Sequence, residues 1–212
     1  VQQSFCVSPR RKEGKRVESQ IKVLIVEDDE DFAFLIRKEL EKQDDIIVAG
    51  ICAESARAVE TACAVKPDVV LMDLCLGKST MEGITASREI RVQTDAKVLI
   101  FTAHDENEVV EEAARQAYAS GYILKNQIPL LVENIYALMN GGTGQEKVLL
   151  YMALSALTDA EKTVFWELMG KPSGVRVTKK TRANQMTKML GKLRLENRRD
   201  VIHVFQALKD SV

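Results

Sequence analysis

The chain has 212 residues, 30 Lys and Arg against 31 Asp and Glu, and is 46% hydrophobic but only 5% aromatic. This excludes a collagen-like, low-complexity or wholly disordered chain and leaves room for one large domain or two small ones. No apolar run approaches the roughly 18 to 20 residues of a membrane-spanning helix. The first 20 residues lack an apolar core of signal-peptide length, so secretion is not expected. Four cysteines, Cys6, Cys52, Cys63 and Cys75, fit no zinc spacing and read as reduced thiols of a cytoplasmic protein.

The near-zero net charge hides an asymmetry. Residues 21–140 carry 12 basic and 22 acidic side chains, whereas residues 157–212 carry 12 basic and 6 acidic ones. Residues 1–20 hold five basic and two acidic groups and read as a flexible arm. An acidic unit joined to a basic one implies two domains with different partners, the basic one facing a polyanion. The seam is Asn140-Gly-Gly-Thr-Gly144, a cluster of structure-breaking residues. The expected division is therefore an arm (1–20), an acidic domain (21–140), a linker (141–156) and a basic domain (157–212).

Short apolar runs alternate with helical patterns through the acidic domain. Ile21–Val26 is a strand rich in β-branched residues, and Phe32, Leu35, Ile36 and Leu40 then share one helical face. Ile46–Ile51 is a second strand and Ser55–Ala64 a second helix. Asp68–Met72 is a third strand, apolar throughout as a strand covered on both faces should be, followed by a helix over Met81–Val92. Lys97–Phe101 is the fourth strand, with a helix from about Glu106 to Tyr118. Tyr122–Lys125 is a short fifth strand, and Ile128, Leu131, Ile135 and Leu138 mark a fifth helix. Five strand–helix pairs imply a doubly wound parallel sheet with helices on both faces.

Ligands of such sheets sit at the carboxyl ends of the strands. There the sequence places Glu27-Asp28-Asp29, Asp73, Thr102 and Lys125. Bare carboxylates crowded at one rim repel by about 4 kcal/mol per pair at 4 Å and an effective dielectric near 20. A hard divalent cation relieves that repulsion, and Mg²⁺ suits carboxylates together with a phosphate. Singly, each residue has a plainer reading: Asp29 as a helix cap, Lys125 as a solvated surface group. The joint pattern is the informative part.

The stretches KVLIVEDDEDF, PDVVLMDL, GITASREIR, KVLIFTAHDE and ASGYILK together resemble the receiver domain of two-component response regulators over residues 21–140. The resemblance implies a flavodoxin-like (βα)5 fold in which Asp73 accepts a phosphoryl group from a sensor histidine kinase. It implies that Glu27, Asp28, Asp73 and the backbone carbonyl of Cys75 hold Mg²⁺ or Mn²⁺. It further implies that Thr102 and Lys125 contact the phosphoryl oxygens and that Tyr122 is the switch aromatic. Two departures stand out: the loop after Asp73 lacks the family's proline and is slightly longer, and Asn126 rather than proline follows Lys125.

In the basic domain, Val148–Leu157 is apolar and could extend a linker helix. Thr158 caps a helix with Glu161 three residues on, and Val164, Phe165, Leu168 and Met169 form its apolar stripe. A second helix starts at Thr178. Met186, Met189, Leu190 and Leu193 share one side of it, while Lys180, Asn184, Lys188 and Lys192 recur on the other with Thr181 beside them. Ten basic residues and one acid lie between Lys171 and Arg199. Lysines on such a helix hold phosphates, while Asn184 or Gln185 could read adenine.

LTDAEKTVFWEL and VTKKTRANQMTKMLGKLRLENRRDVIHVF are similar to the helix-turn-helix of NarL/LuxR-type regulators. That resemblance implies a smaller all-α output domain with Lys179–Leu193 as recognition helix, contacting double-stranded DNA through Lys180, Thr181, Arg182, Asn184, Gln185, Lys188 and Lys192. A last helix carrying Val201, Ile202, Phe205 and Leu208 would form a homodimer on phosphorylation. Only seven residues separate Gly170 from Thr178, and they include Pro172 and Gly174. A two-turn scaffold helix has no room there. The expected function is a cytoplasmic, phosphorylation-controlled transcription regulator, not an enzyme beyond self-phosphorylation and autodephosphorylation, and with no membrane partner. The alternative is a receiver-controlled RNA- or protein-binding regulator with a degenerate helix-turn-helix. An aspartate-nucleophile phosphohydrolase is disfavoured, because Cys75 stands where such enzymes carry a second aspartate.

Overall fold

The computed structural model describes residues 20–77, 79–172, 174 and 178–211. The expected N-terminal arm (apart from Gln20) and Cys6 lie outside the described residues. The chain runs β1 (Ile21–Val26), α1 (Glu30–Leu40), β2 (Ile46–Cys52), α2 (Ser55–Val65), β3 (Val69–Met72), α3 (Thr80–Gln93), β4 (Lys97–Thr102), α4 (Asn107–Gln116) and β5 (Gly121–Leu124). A 3-10 stretch over Lys125–Leu130 leads into α5 (Leu131–Met139), and α6 (Gly144–Ala153), α7 (Asp159–Leu168), α8 (Lys179–Leu193) and α9 (Arg198–Val204) follow.

The strands form one parallel sheet in the order β2-β1-β3-β4-β5. Side chains alternate across it. Val23, Ile25, Leu71 and Phe101 pack under α1 and α5, while Leu24, Val26, Met72 and Val98 pack under α2 and α3. Covering both faces explains why these strands read as unbroken apolar runs.

Three helical expectations need correction. Helix α1 buries Ala33, Ile36 and Leu40, whereas Leu35 is 47% exposed. The core-facing stripe is rotated onto a small alanine that carries little weight in a hydrophobic pattern. Helix α4 stops at Gln116, short of Tyr118, which takes a left-handed backbone (φ 54°) and turns into the core of the helical domain. The α5 face begins at Leu131; Ile128 lies in the preceding 3-10 turn, which contains Pro129.

The linker is itself a helix. Thr143 caps α6, accepting from the Glu146 N–H. Gly141 (φ 107°) and Gly142 (φ 83°) let the chain reverse from α5 into it. Helix α6 packs beside α4 and β5 and buries Leu149, Leu150 and Ala153. Val148, the first residue of the apolar stretch, faces outward.

The helical domain closes around Leu150, Leu157, Val164, Phe165, Met189, Leu193, Val201, Phe205 and Leu208. The Phe165 and Phe205 rings meet edge to face at 5.0 Å. The Thr158–Glu161 capping box forms as expected. Of the last-helix residues, Val201, Phe205 and Leu208 are buried within this chain and Ile202 is partly exposed. Among the described residues no helix lies between α7 and α8, which pack directly on each other. No described helix is long and apolar enough to cross a membrane.

Candidate functional site

The ends of β1, β3 and β5 bring Glu27, Asp73 and Lys125 together. The Lys125 ammonium donates to Asp73 Oδ2 at 2.8 Å and lies 2.7 Å from Glu27 Oε2, forming a bridge between residues distant in the chain. Its Nζ also sits 4.6 Å above the Phe32 ring, so α1 walls the rim. Asp28 completes the group: one oxygen from each of Glu27, Asp28 and Asp73 lies within 4.8 Å of the others. The loop after β3 orients two of them. The Cys75 N–H donates to Asp73 Oδ1 at 3.2 Å and the Gly77 N–H to Asp28 Oδ2 at 3.1 Å.

Gly83 is required by this loop. A Cβ there would fall 2.6 Å from the Asp73 carbonyl oxygen, so α3 could not approach the end of β3 with any larger residue. Thr102, fully buried at the end of β4, accepts from the His104 N–H at 3.4 Å. Tyr122 is half-buried and donates from its hydroxyl to the His104 carbonyl at 2.8 Å, so both implied switch residues touch one loop. Burial, aided by Glu106, Asp105 and Asp73, pushes the Tyr122 hydroxyl up to about 12, which keeps it a neutral donor.

Burial also raises the Glu27 carboxyl above its usual range despite the hydrogen bond from Lys125, with Asp73 adding to the rise. Burial opposes the charge of Lys125, but its hydrogen bonds to Asp73 and Glu27 outweigh this and hold it ionised. Three carboxylates against one ammonium leave the rim net negative. This set of hard oxygens suits Mg²⁺, which favours carboxylates and retains waters.

A raised folded-state pKa means the folded form is favoured while Glu27 is protonated, and that contribution is lost as pH rises through its folded pKa. A cation would replace the proton. Mg²⁺ is therefore expected to raise the melting temperature more at about pH 8 than at about pH 5. Thermal melts with and without the metal check this, and an equal rise at both values would count against metal binding through Glu27.

At the other end of the chain, the predicted polar face of α8 is exposed: Lys180, Thr181, Asn184 and Lys188 reach solvent, and Gln185 is half-buried. Two of its cations are engaged on α7, with Lys192 donating to Glu161 at 2.7 Å and Arg182 to Glu167 at 3.1 Å. Met189 and Leu193 are buried, and Met186 and Leu190 pack at the edge of the core.

The sequence reading missed the seam between the two units. Arg91 on α3 is 6% exposed, and its guanidinium donates to the carbonyls of Tyr118, Ala96 and Val204 at 3.1, 3.1 and 3.4 Å. It lies 3.5 Å from Glu146, which also accepts from Lys97 at 2.7 Å and Ser120 at 3.0 Å. The Tyr118 hydroxyl donates to the Leu193 carbonyl. Gln145 of α6 pairs with both backbone groups of Tyr122, its Oε1 accepting at 3.2 Å and its Nε2 donating at 3.1 Å. The exposed edge of β5 is thus satisfied by a side chain.

The Response regulator receiver domain family model matches residues 23–136. The chain belongs to the response regulator receiver domain family. It is 30% identical over 127 residues to the transcriptional regulatory protein DegU of Brevibacillus brevis, covering 59% of this chain and 52% of that protein. The chain thus spans about half the length of that curated relative. A crystal structure of a LuxR-family two-component response regulator from Aurantimonas matches with a TM-score of 0.54 and 28% identity, covering 64% of this chain and 96% of that one. The RcsB response regulator of Salmonella typhimurium shares the fold more broadly, with a TM-score of 0.54 over 92% of this chain and 100% of that one at 20% identity. The architecture is accordingly a flavodoxin-like α/β receiver with a smaller all-helical C-terminal domain.

Proposed function

We propose that this chain is a phosphorylation-controlled transcription regulator in which Asp73 accepts a phosphoryl group and the basic helical domain binds DNA. The observation that carries the reading is the Lys125 bridge between Asp73 and Glu27 beside Asp28, at the strand ends where this fold binds ligands. An Asp73 carboxylate oxygen attacks the phosphorus of a kinase phosphohistidine; the N–P bond breaks, an O–P bond forms, and the imidazole leaves. Lys125 then pairs with a phosphoryl oxygen and Thr102 donates to another. Glu27, Asp28, Asp73 and the Cys75 carbonyl would hold Mg²⁺ (or Mn²⁺), which offsets charge on the transferred group. The partners are a sensor histidine kinase, double-stranded DNA and, when phosphorylated, a second copy of the chain. The setting is the cytoplasm, with no catalysis beyond self-phosphorylation and autodephosphorylation.

Residues 21–140 serve as receiver, 141–156 as linker and 157–212 as output domain. Movement of Thr102 and Tyr122 reaches the output domain through Gln145, because α6 grips Tyr122 at one end and supplies Leu150 and Ala153 to the helical core. On DNA, Lys180 and Lys188 neutralise phosphates with Thr181 alongside, while Asn184 and Gln185 face base edges. Arg182 and Lys192 join them by exchanging Glu167 and Glu161 for phosphates.

Lys188→Ala is expected to weaken binding evenly across DNA sequences and flatten the salt dependence by about one unit of slope. Gel-shift titrations at several salt concentrations measure this; a change confined to one sequence would sink the phosphate role. The directness of the α7–α8 contact favours the second reading, RNA or a protein as partner. Footprinting with a phosphate mimic decides between them, since only the first reading protects paired DNA half-sites.

A further inference from the structure

Lys125 has three close partners at the rim, and only two of them are carboxylates. Its ammonium donates to Glu27 Oε1 at 2.9 Å and to Asp73 Oδ2 at 2.8 Å. The third partner is the ring of Phe32 on α1, whose centroid lies 4.6 Å from Nζ, well inside the roughly 6 Å reach of a cation–π contact. The ring is itself held. Asp29, the cap of α1, accepts from the Phe32 N–H at 3.0 Å, and the Asp29 N–H donates in turn to Glu27 Oε1 at 3.3 Å. Phe101, fully buried on β4, packs against the ring with centroids 5.7 Å apart and planes tilted by 34°. Glu27, Asp29, Phe32 and Lys125 therefore close a circuit of contacts in which each member fixes the next.

A phenylalanine beside a core is ordinarily packing and nothing more, and a lysine over a ring is often incidental. Lys38 over Phe34 is the incidental case: the ammonium stands 5.5 Å from the centroid, and both side chains are exposed to competing water. Phe32 and Lys125 are both half-buried, and the ammonium is aimed by two carboxylates at the acceptor oxygen. The wall on its third side has a narrow chemical specification. An aliphatic side chain would strip water from the cation and return nothing. A further carboxylate would draw the ammonium away from Asp73. The face of an aromatic ring attracts the cation without supplying a rival anion.

We propose that Phe32 is a positioning residue for phosphoryl uptake, its ring face holding the Lys125 ammonium against Asp73 so that the cation is in place when the phosphoryl oxygens arrive. Its role is exercised through Lys125, since an apolar ring offers nothing to phosphorus or to a hard cation. A free lysine side chain has much rotamer freedom to lose, and the ring contact settles that loss before the donor binds. Phe101, which braces the ring, directly precedes Thr102 at the end of β4, so one aromatic pair ties the Lys125 side of the rim to the Thr102 side. The inference rests on the assignment of Asp73 as acceptor made above.

The test is a double-mutant cycle on the full chain, reading the initial rate of label uptake from a radiolabelled small-molecule phosphodonor with Mg²⁺. Phe32→Leu removes the ring face but keeps an apolar side chain, and is expected to slow uptake roughly three- to tenfold. Phe32→Tyr keeps the face and should stay within about twofold of wild type. In a Lys125→Gln background, Phe32→Leu should change the remaining rate by less than about twofold, because the group it acts through is gone. Equal slowing in both backgrounds, or a Phe32→Tyr rate as low as that of Phe32→Leu, would reduce Phe32 to packing and overturn the proposal. Phe32→Met repeats the removal should Phe32→Leu fold poorly. A second arm needs no phosphorylation: in proton NMR of the metal-free chain, the ring current should move the Lys125 ε-methylene protons upfield in wild type and Phe32→Tyr, but not in Phe32→Leu. Label on wild type with unshifted protons overturns the positioning role and leaves Asp73 as acceptor. Shifted protons with no label do the reverse, sinking the acceptor assignment while the ring still holds the ammonium.

Discussion

Asp73→Asn is expected to end phosphoryl uptake, a loss on the order of a thousandfold or more against any phosphodonor. The amide has nearly the shape of the carboxylate but no anionic oxygen to attack phosphorus. Asp73 is 4% exposed, and its two oxygens are set by the Cys75 N–H and the Lys125 ammonium. Of the neighbouring acids, Glu27 shares the Lys125 ammonium and accepts from the Asp29 N–H, and Asp28 accepts from the Gly77 N–H. An Asn side chain can still accept from Lys125 through its carbonyl oxygen, so the fold should survive with a small change in melting temperature. Incubation with a radiolabelled small-molecule phosphodonor, followed by electrophoresis, reads the outcome. If Asp73→Asn retains label and Asp28→Asn abolishes it, the acceptor has been misassigned.

The parts of this molecule legible in the sequence are those whose signal is local. Val69–Met72 announces a doubly covered strand because every residue is apolar and the run is short. Thr158 and Glu161 announce a helix start because both halves of the capping box lie within one turn. The clustering of the carboxylates was readable for a related reason: each acid follows its strand directly, and parallel winding brings the ends of the strands to one edge. Arg91 gave no such signal. In the sequence it is one charged residue in a helical pattern, and its burial depends on Val204, 113 residues away. Gln145 was silent too, since pairing a side chain with a strand edge leaves no periodicity. Leu35 misled because a leucine outweighs the alanine that faces the core.

The carboxylate rim lies at the strand ends of the sheet and α8 in the helical domain. They are linked through β5 and α6 by Gln145, and at the opposite end of the sheet by Tyr118, whose ring belongs to the helical core and packs 5.3 Å from Phe205. Tyr118 follows α4, the helix between the ends of β4 and β5 where Thr102 and Tyr122 lie. In the function proposed above, a shift of α4 acts directly on the helical domain, not on a tether between independent units. On that reading the helical domain senses the receiver by sharing its interior.

Arg91 is where that shared interior is most vulnerable. Arg91→Leu is expected to destabilise the full chain by roughly 3 kcal/mol, the cost of breaking a buried charged network from one side. The substitution leaves the carbonyls of Tyr118, Ala96 and Val204 without their donor, and takes one of two cations from Glu146, which is 1% exposed. Lys97 and Ser120 still bond Glu146, which keeps the loss below that of a fully orphaned charge. For a chain of this size the melting temperature should fall by roughly 6 to 12 °C. Arg91→Lys should fall between, since an ammonium on a shorter arm restores the charge but not three fixed donors. Because Val204 belongs to the helical domain, the loss should be cooperative, with α9 losing amide-exchange protection ahead of β1 and β3. Thermal melts with hydrogen exchange resolved by segment measure both. A fall of less than about 0.5 kcal/mol, within the range of an ordinary surface substitution, would mean that the seam is not built around this side chain.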